Sequence, residues 1–502
     1  MHYANRARTI VSALLISLAS GGAQAARNEI KLPDLYNSSD AIVNPTEAKR
    51  YGQQLLQLVQ LYGGLVDDSL VEEYIRSIGY SLVANSEQPD GDFTFFVLRD
   101  KSINAFATFG GYVAVHSGLL LAAHSESELA AVMSHEIAHV TQGHLSRSIE
   151  AQQKISLPIL LASIAAAIAS PNADVAQGAL LAGQAALQQA RINFTRANEF
   201  EADRVGIRTL YLAGYDTRAM AGFFEKLAAL SRSYAAKAVP EQLRTHPVTT
   251  DRIAEAKNRA ARFPQRNLHD QAEFLQIQNR IRVLTSSNPE SVAAMLKDRA
   301  AHEQDVERHD ADRYGYALAL IRMEKPFQAI KVLQSLLDKV GESRVYKLAM
   351  ADALMRGGQQ TDALAYYSEM ASQYPGNEAV NFAFAKALNK AGHYESAEKK
   401  FYDLVWQRQS DASLREMLAH AAENAGHHVL AKESIADSYA LSGRIRDAIT
   451  QYESLLKMPE TDYYTRARVG ATLIDLRQTF AKELAQRRSR DGDDDRRRRR
   501  RG

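Results

Sequence analysis

Cysteine is absent from all 502 residues. That absence removes disulfides, thiol nucleophiles, zinc ribbons and iron–sulfur clusters together, and with them a lipid-modified amino-terminal cysteine as a membrane anchor. Prolines are few, 12 in all, and no apolar run approaches the roughly 20 residues that cross a bilayer as a helix. Strong net charge is missing as well, but the formal +2 hides an asymmetry. Residues 487–502 hold nine Arg and four Asp, a local +5 that leaves −3 for the rest. Six consecutive arginines, Arg496 to Arg501, follow Asp493-Asp494-Asp495. Such a like-charge run resists collapse, so 487–502 is expected as a disordered Arg-rich tail able to touch anionic lipid head groups. No basic-aromatic groove accompanies it, which argues against nucleic acid as a partner.

What is present is the composition of a folded chain, 46% hydrophobic and 24% charged. At this length one core is not enough, and two or three domains are expected. Residues 1–25 read as a signal peptide. Arg6 and Arg8 supply the positive start, Ile10 to Ala19 the short apolar stretch, and Ala23-Gln24-Ala25 the small-x-small cleavage pattern. The mature chain would then begin near Ala26, outside the cytoplasm.

Apolar residues at helical spacing (Leu55, Leu58, Leu61; Val71, Tyr74, Ile75, Ile78) predict two helices within Thr46 to Leu82, joined near Gly63-Gly64. Phe93 to Leu98 reads as a strand and Ala105 to Val115 as a second extended segment that turns at Gly110-Gly111. Ser125 to Thr141 reads as a helix, with Ser125 as N-cap and Glu128 completing a capping box. Leu157 to Ala169 is an alanine-rich run fenced by Pro158 and Pro171. It is too short to span a bilayer and reads first as a hairpin of small-residue helices over the core. A lid, or a segment dipping into a membrane surface, is the other reading of 155–190.

From about residue 310 a repeat takes over. Ala317, Ala351, Ala385 and Ala419 stand 34 apart, as do Ala329, Ala363, Ala397 and Ala431, and Gly358, Gly392 and Gly426 keep the same period. A two-helix unit needs small residues where its helices cross and glycine at the turn, and this period is that of the tetratricopeptide repeat. Ala436, Gly443 and Ala448 repeat the spacing only 17 residues later. That offset predicts one helix shared between the fourth and fifth units. Such stacks offer a concave face to protein segments.

The chemistry centres on His135-Glu136-Ile137-Ala138-His139. Four apart on a helix, both imidazoles share a face and can reach one metal ion, while Glu136 is placed to take a proton from activated water. Downstream, Asn198-Glu199-Phe200-Glu201-Ala202-Asp203 puts Glu199 and Asp203 on one helix face and turns Glu201 away. Glu199 would complete a two-His, one-carboxylate site with an open fourth position, and Asp203 could hydrogen-bond a ligating His. The metzincin spacing fails, because Gln142 and Leu145 occupy its glycine and third-histidine positions. His144 lies out of register and reads as a surface or hydrogen-bonded helix histidine.

These elements, with Asn104-Ala105-Phe106-Ala107, resemble the HtpX-type zinc metallopeptidases. With the export signal and the repeat stack, the chain resembles their periplasmic branch, the BepA-type protease-chaperones of Gram-negative bacteria. The resemblance implies one Zn2+ per chain and a gluzincin-type metalloendopeptidase. It also implies that His246, before Pro247, and Arg252 lie over the zinc. His246 can then be a fourth ligand that keeps the site latent, or it or Arg252 can steady the oxyanion. The expected fold is mainly α. An α+β zincin-type domain with a small sheet fills 26–265, a helical connector 266–309, and an all-α tetratricopeptide-repeat solenoid 310–475. The implied setting is the periplasm, with outer-membrane proteins as substrates, chaperone-like quality control as the task, and the outer-membrane assembly machinery as partner through the repeats. Two competitors stand beside this: a repeat-based chaperone with a dormant site, and a membrane-embedded peptidase.

Overall fold

The computed structural model describes residues 44–61, 64–148, 150, 195–233, 242, 246–265 and 272–499. The expected signal peptide and the 155–190 segment lie outside the described residues. Two helices open the fold, α1 (Pro45–Leu61) and α2 (Ser69–Ala84). Asp68 caps α2 by accepting from Val71 N at 3.2 Å, and the apolar stripe Leu70, Val71, Tyr74, Ile75, Ile78 and Leu82 is buried.

The sheet has three strands, β1 (Thr94–Leu98), β2 (Ala105–Thr108) and β3 (Tyr112–His116), in the order β1-β3-β2. β3 runs parallel to β1 and antiparallel to β2. All five β3 residues are buried, as suits a central strand without alternation, whereas β2 is half-buried and forms one edge. The predicted extended segment 105–115 is therefore a hairpin of two strands, reversed through Phe109–Gly111.

Beyond the short α3 (Ser117–Ala122) comes α4 (Glu126–Thr141). Ser125 Oγ accepts from Glu128 N at 3.3 Å, as the cap requires. The reciprocal bond of the box is shifted by one residue, since Glu128 Oε2 accepts from His124 N at 2.7 Å. Helix α5 (195–212) crosses α4 at small residues: Ala138 packs with Ala202 and Val205, and a Cβ on Gly206 would stand 3.2 Å from His135 N. Helices α6 (Arg218–Ser233) and α7 (Thr250–Ala260) complete this half.

Helices α8 (Ala272–Thr285) and α9 (Pro289–His302) lead into α10 (Val306–Arg322), and from there hairpins follow one another: α11 (Pro326–Val340), α12 (Arg344–Arg356), α13 (Gln360–Gln373), α14 (Glu378–Lys390), α15 (Tyr394–Gln407), α16 (Ala412–Asn424), α17 (His428–Leu441) and α18 (Ile445–Leu456). The alanines of the repeat are buried at the crossings, and Gly358, Gly392 and Gly426 take φ of +81°, +85° and +85° at the turns, where a side chain would be strained. Helix α17 packs on both α16 and α18, with Ala431 buried and Ala436 clustered with Ala448, Tyr452 and Leu455 of α18, so it serves two units at once, which is why the period halves there. The last helix, α19, is Tyr463–Arg499.

One hydrophobic cluster runs unbroken from Val66 to Ala387, taking in Phe274, Ile281 and Leu296 of α8 and α9. Arg280 adds a forked ion pair to Asp68 (2.6 and 2.7 Å), tying α8 to the cap of α2. None of the described helices is long and apolar enough to cross a membrane.

Candidate metal centre

Helix α4 presents His135, Glu136 and His139, all on the stretch that faces α5 and the sheet, and His135 and Glu136 are fully buried. Close packing at Gly206 and Ala202 lets α5 bring Glu199 to the histidine pair. His135 Nε2 is 3.0 Å from His139 Nε2 and 3.4 Å from Glu199 Oε2, and His139 Nε2 is 3.5 Å from Glu199 Oε1. His246 joins them, its Nδ1 at 2.9 Å from Glu199 Oε1 and 3.4 Å from His135 Nε2. One ligand atom from each of these four residues falls within 4.8 Å of all the others.

This donor set fits a small divalent cation. Tetrahedral bonds of 2.0–2.1 Å set neighbouring ligand atoms about 3.3–3.4 Å apart, close to the separations found. Two imidazole nitrogens facing each other at 3.0 Å also need something between them, a proton or a cation. The charges agree. Burial opposes the imidazolium, yet Asp203 and Glu199 override it and raise His135 to about 10. Burial, and then the charge on His135, push His139 well below the usual imidazole range. Glu199 is held far below the usual carboxylate range, because the partner imidazoles outweigh burial. The proton held on His135 is one that a bound cation would displace.

Around this centre the remaining residues have distinct tasks. Glu136 Oε2 accepts from Ala107 N of the edge strand at 3.2 Å, which aims its carboxylate between β2 and the histidines. Asp203 Oδ1 stands 2.9 Å from His135 Nδ1. Arg252, buried at 2% exposure, grips Asp203 with two bonds of 2.8 Å, reaches Glu199 Oε2 at 2.8 Å and donates to Pro247 O at 2.9 Å. Its guanidinium also lies 4.8 Å over the Phe224 ring. Those bonds make Arg252 a clamp that fastens the His246-Pro247 segment to α5.

Sequence patterning left Gln242 unmarked and gave His144 and Glu201 no part at the centre. Gln242 lies along the open edge of β2: its backbone N donates to Ile103 O (3.2 Å), its Oε1 accepts from Ala105 N (2.8 Å), and its Nε2 donates to Glu136 Oε1 (3.3 Å). It thus occupies the groups an added strand would pair with. No periodicity marks it, and only its neighbourhood to His246 could have pointed there. His144, only 3% exposed, contacts His139, and burial keeps its pKa below the usual imidazole range. Glu201, turned away from the centre as expected, meets His144 at 3.1 Å and Arg147 at 2.6 Å.

Residues 69–260, a span that holds every residue just described, match the family model of peptidase family M48, and residues 346–377 match that of the tetratricopeptide repeat. The beta-barrel assembly-enhancing protease of Escherichia coli strain K12 is 36% identical to the chain over 338 residues, covering 66% of this chain and 68% of that protein. A Vibrio cholerae relative is 38% identical over 331 residues, covering 65% of this chain and 68% of its own length.

Proposed function

The chain belongs to the beta-barrel assembly-enhancing proteases, metalloendopeptidases of family M48, and from that premise we propose that it is a zinc-dependent endopeptidase of the periplasm. Its substrates are polypeptides bound for the outer membrane, and its repeat stack is the surface for the assembly machinery and for chaperone-like client binding, through the concave face that such stacks form. The same proposal divides the chain into a cleaved segment 1–25, a peptidase domain 26–265, a connector 266–309 and repeats 310–475. The observation that carries the reading is the convergence of His135, His139 and Glu199 beside a glutamate anchored to an edge strand.

His135, His139 and Glu199 would hold the ion, with His246 in the fourth position. When bound, zinc supplies the Lewis acidity that brings water deprotonation into the neutral range and polarises a carbonyl. An extended substrate would pair with β2 once Gln242 leaves Ile103 O and Ala105 N, laying the scissile bond before Glu136. Glu136 takes the proton of the attacking water and hands it to the departing amine. Asp203 orients His135, and Arg252 holds Asp203 in place. His246, withdrawn from Glu199, would face the developing oxyanion. Cleavage of unfolded outer-membrane protein by wild type but not by Glu136→Gln, with zinc still bound to the variant, is the expected result. Equal cleavage by both would remove the enzymatic reading.

The occupied state of the cleft supports a second reading. With His246 on Glu199 and Gln242 on β2, the protein rests closed, and client binding by the repeats can proceed with proteolysis dormant. Complementation of a deletion strain by Glu136→Gln separates the two: full rescue favours binding alone, loss of rescue favours cleavage.

A further inference from the structure

The two metal-facing imidazoles are backed differently. His135 presents Nδ1 to the Asp203 carboxylate at 2.9 Å, and Arg252 fixes that carboxylate by two bonds. Behind His139 stands a second imidazole. Helix α4 ends at Thr141, and the turn through Gln142 and Gly143 brings His144 back under it. His144 Nδ1 lies 2.8 Å from His139 Nδ1, with the rings 4.7 Å apart at 77°, an edge-on meeting suited to a hydrogen bond and not to stacking. On its far side His144 Nε2 is 3.1 Å from Glu201 Oε2, and Arg147 Nη2 holds that oxygen at 2.6 Å.

Protons order this chain of contacts. A histidine that gives Nε2 to a cation keeps its remaining proton on Nδ1 and must donate it. His144 Nδ1 must then accept, its own proton must sit on Nε2, and Glu201 must accept that one. Each requirement is met by the partner found. We propose that His144, oriented by Glu201 and Arg147, is a positioning residue of the metal centre that fixes the tautomer and ring orientation of His139. The inference rests on His135, His139 and Glu199 being the metal ligands. It makes the centre asymmetric, with a carboxylate directly behind one histidine and an imidazole interposed behind the other.

The test uses the full-length chain, stripped of metal and titrated with zinc against a chromophoric chelator. Removing such a partner weakens metal binding about 10–100-fold, the loss expected for His144→Leu and His144→Phe. His144→Asn keeps an acceptor near the Nδ1 position and should recover most of the lost affinity. Thermal midpoints of the metal-free variants read packing separately. If His144 merely filled space, Phe or Leu would come nearest to wild type and Asn would fare worst, in stability and in affinity alike. That order overturns the proposal, as does wild-type affinity in all three variants. A wild-type chain that binds no zinc overturns the metal-site reading and this proposal together.

Discussion

The seam between α2 and the repeat helices should loosen as pH rises through neutrality. Glu72 Oε2 meets Arg408 Nη2 at 2.9 Å, and Arg408 is shared with Glu378 at 3.1 Å and Asp411 at 2.7 Å. Arg76 reaches Glu378 at 2.5 Å, and Arg344 pairs with Glu73 a residue away. Burial penalises the charge on Glu72 more than Arg408 relieves it, and Asp411 adds repulsion, so its carboxyl is pushed up to about 7 from an ordinary 4.5. The folded state therefore binds this proton more tightly than the unfolded one. Stability is full below about pH 4.5 and is lost as pH rises through about 7. The difference between 7 and 4.5, at 1.36 kcal/mol per pH unit, is about 3 kcal/mol; with 20% of the side chain exposed, solvent trims it to about 2–3 kcal/mol. Glu72→Gln carries no charge at any pH and escapes the loss. For a cooperative unit of this size 1 kcal/mol moves the midpoint by roughly 1 °C. Thermal melts at pH 5, 6, 7 and 8 should show the variant gaining about 2–3 °C on wild type between the lowest and highest pH. A gap that stays constant, or shrinks as pH rises, would refute the reasoning.

Gln242→Ala frees Ala105 N and one contact on Glu136, two hydrogen bonds worth about 1–3 kcal/mol together, so peptide cleavage should rise about fivefold to 150-fold; slower cleavage would show that Gln242 assists substrate instead. Asp68→Ala removes the helix cap and leaves Arg280 unpaired, and should cost about 3–5 kcal/mol in denaturant unfolding. Asp68→Asn keeps the cap and should cost about 1 kcal/mol less, so equal losses would contradict the assignment of both roles. Gly206→Ala sets about 1 kcal/mol of helix propensity against overpacking of about 1–3 kcal/mol. Two of the three nearest atoms belong to the α4 backbone and cannot yield, so a lower melting temperature is expected and a higher one would falsify the close-crossing argument.

Local and periodic features were readable in advance. His135 and His139 share a face because four residues make one helical turn, and Glu199 and Asp203 do the same on α5, 3.4 and 2.9 Å from His135. The 34-residue period and its halving at Ala436 located the repeat crossings and the shared helix α17. Features made by contacts distant in sequence were not readable. Nothing in the strands announces that β3 inserts between β1 and β2, since that order follows from packing against α2 and α4. The spacing leaves His144 open between a surface and a hydrogen-bonded position, and only the turn at Gly143, which buries the ring, selects the second. Arg252 was expected over the metal through resemblance, and its place is set by Asp203, 49 residues away. The seam at Glu72 joins positions more than 300 apart, which no local pattern records.

His135, His139 and Glu199 are proposed to share one zinc ion. Anomalous diffraction from crystals of the purified protein, recorded on both sides of the zinc absorption edge, tests it most directly. A single peak is expected within about 2.0–2.2 Å of His135 Nε2, His139 Nε2 and a Glu199 oxygen. A peak placed elsewhere, or a zinc-loaded crystal with Glu199 turned away from the two histidines, would contradict it.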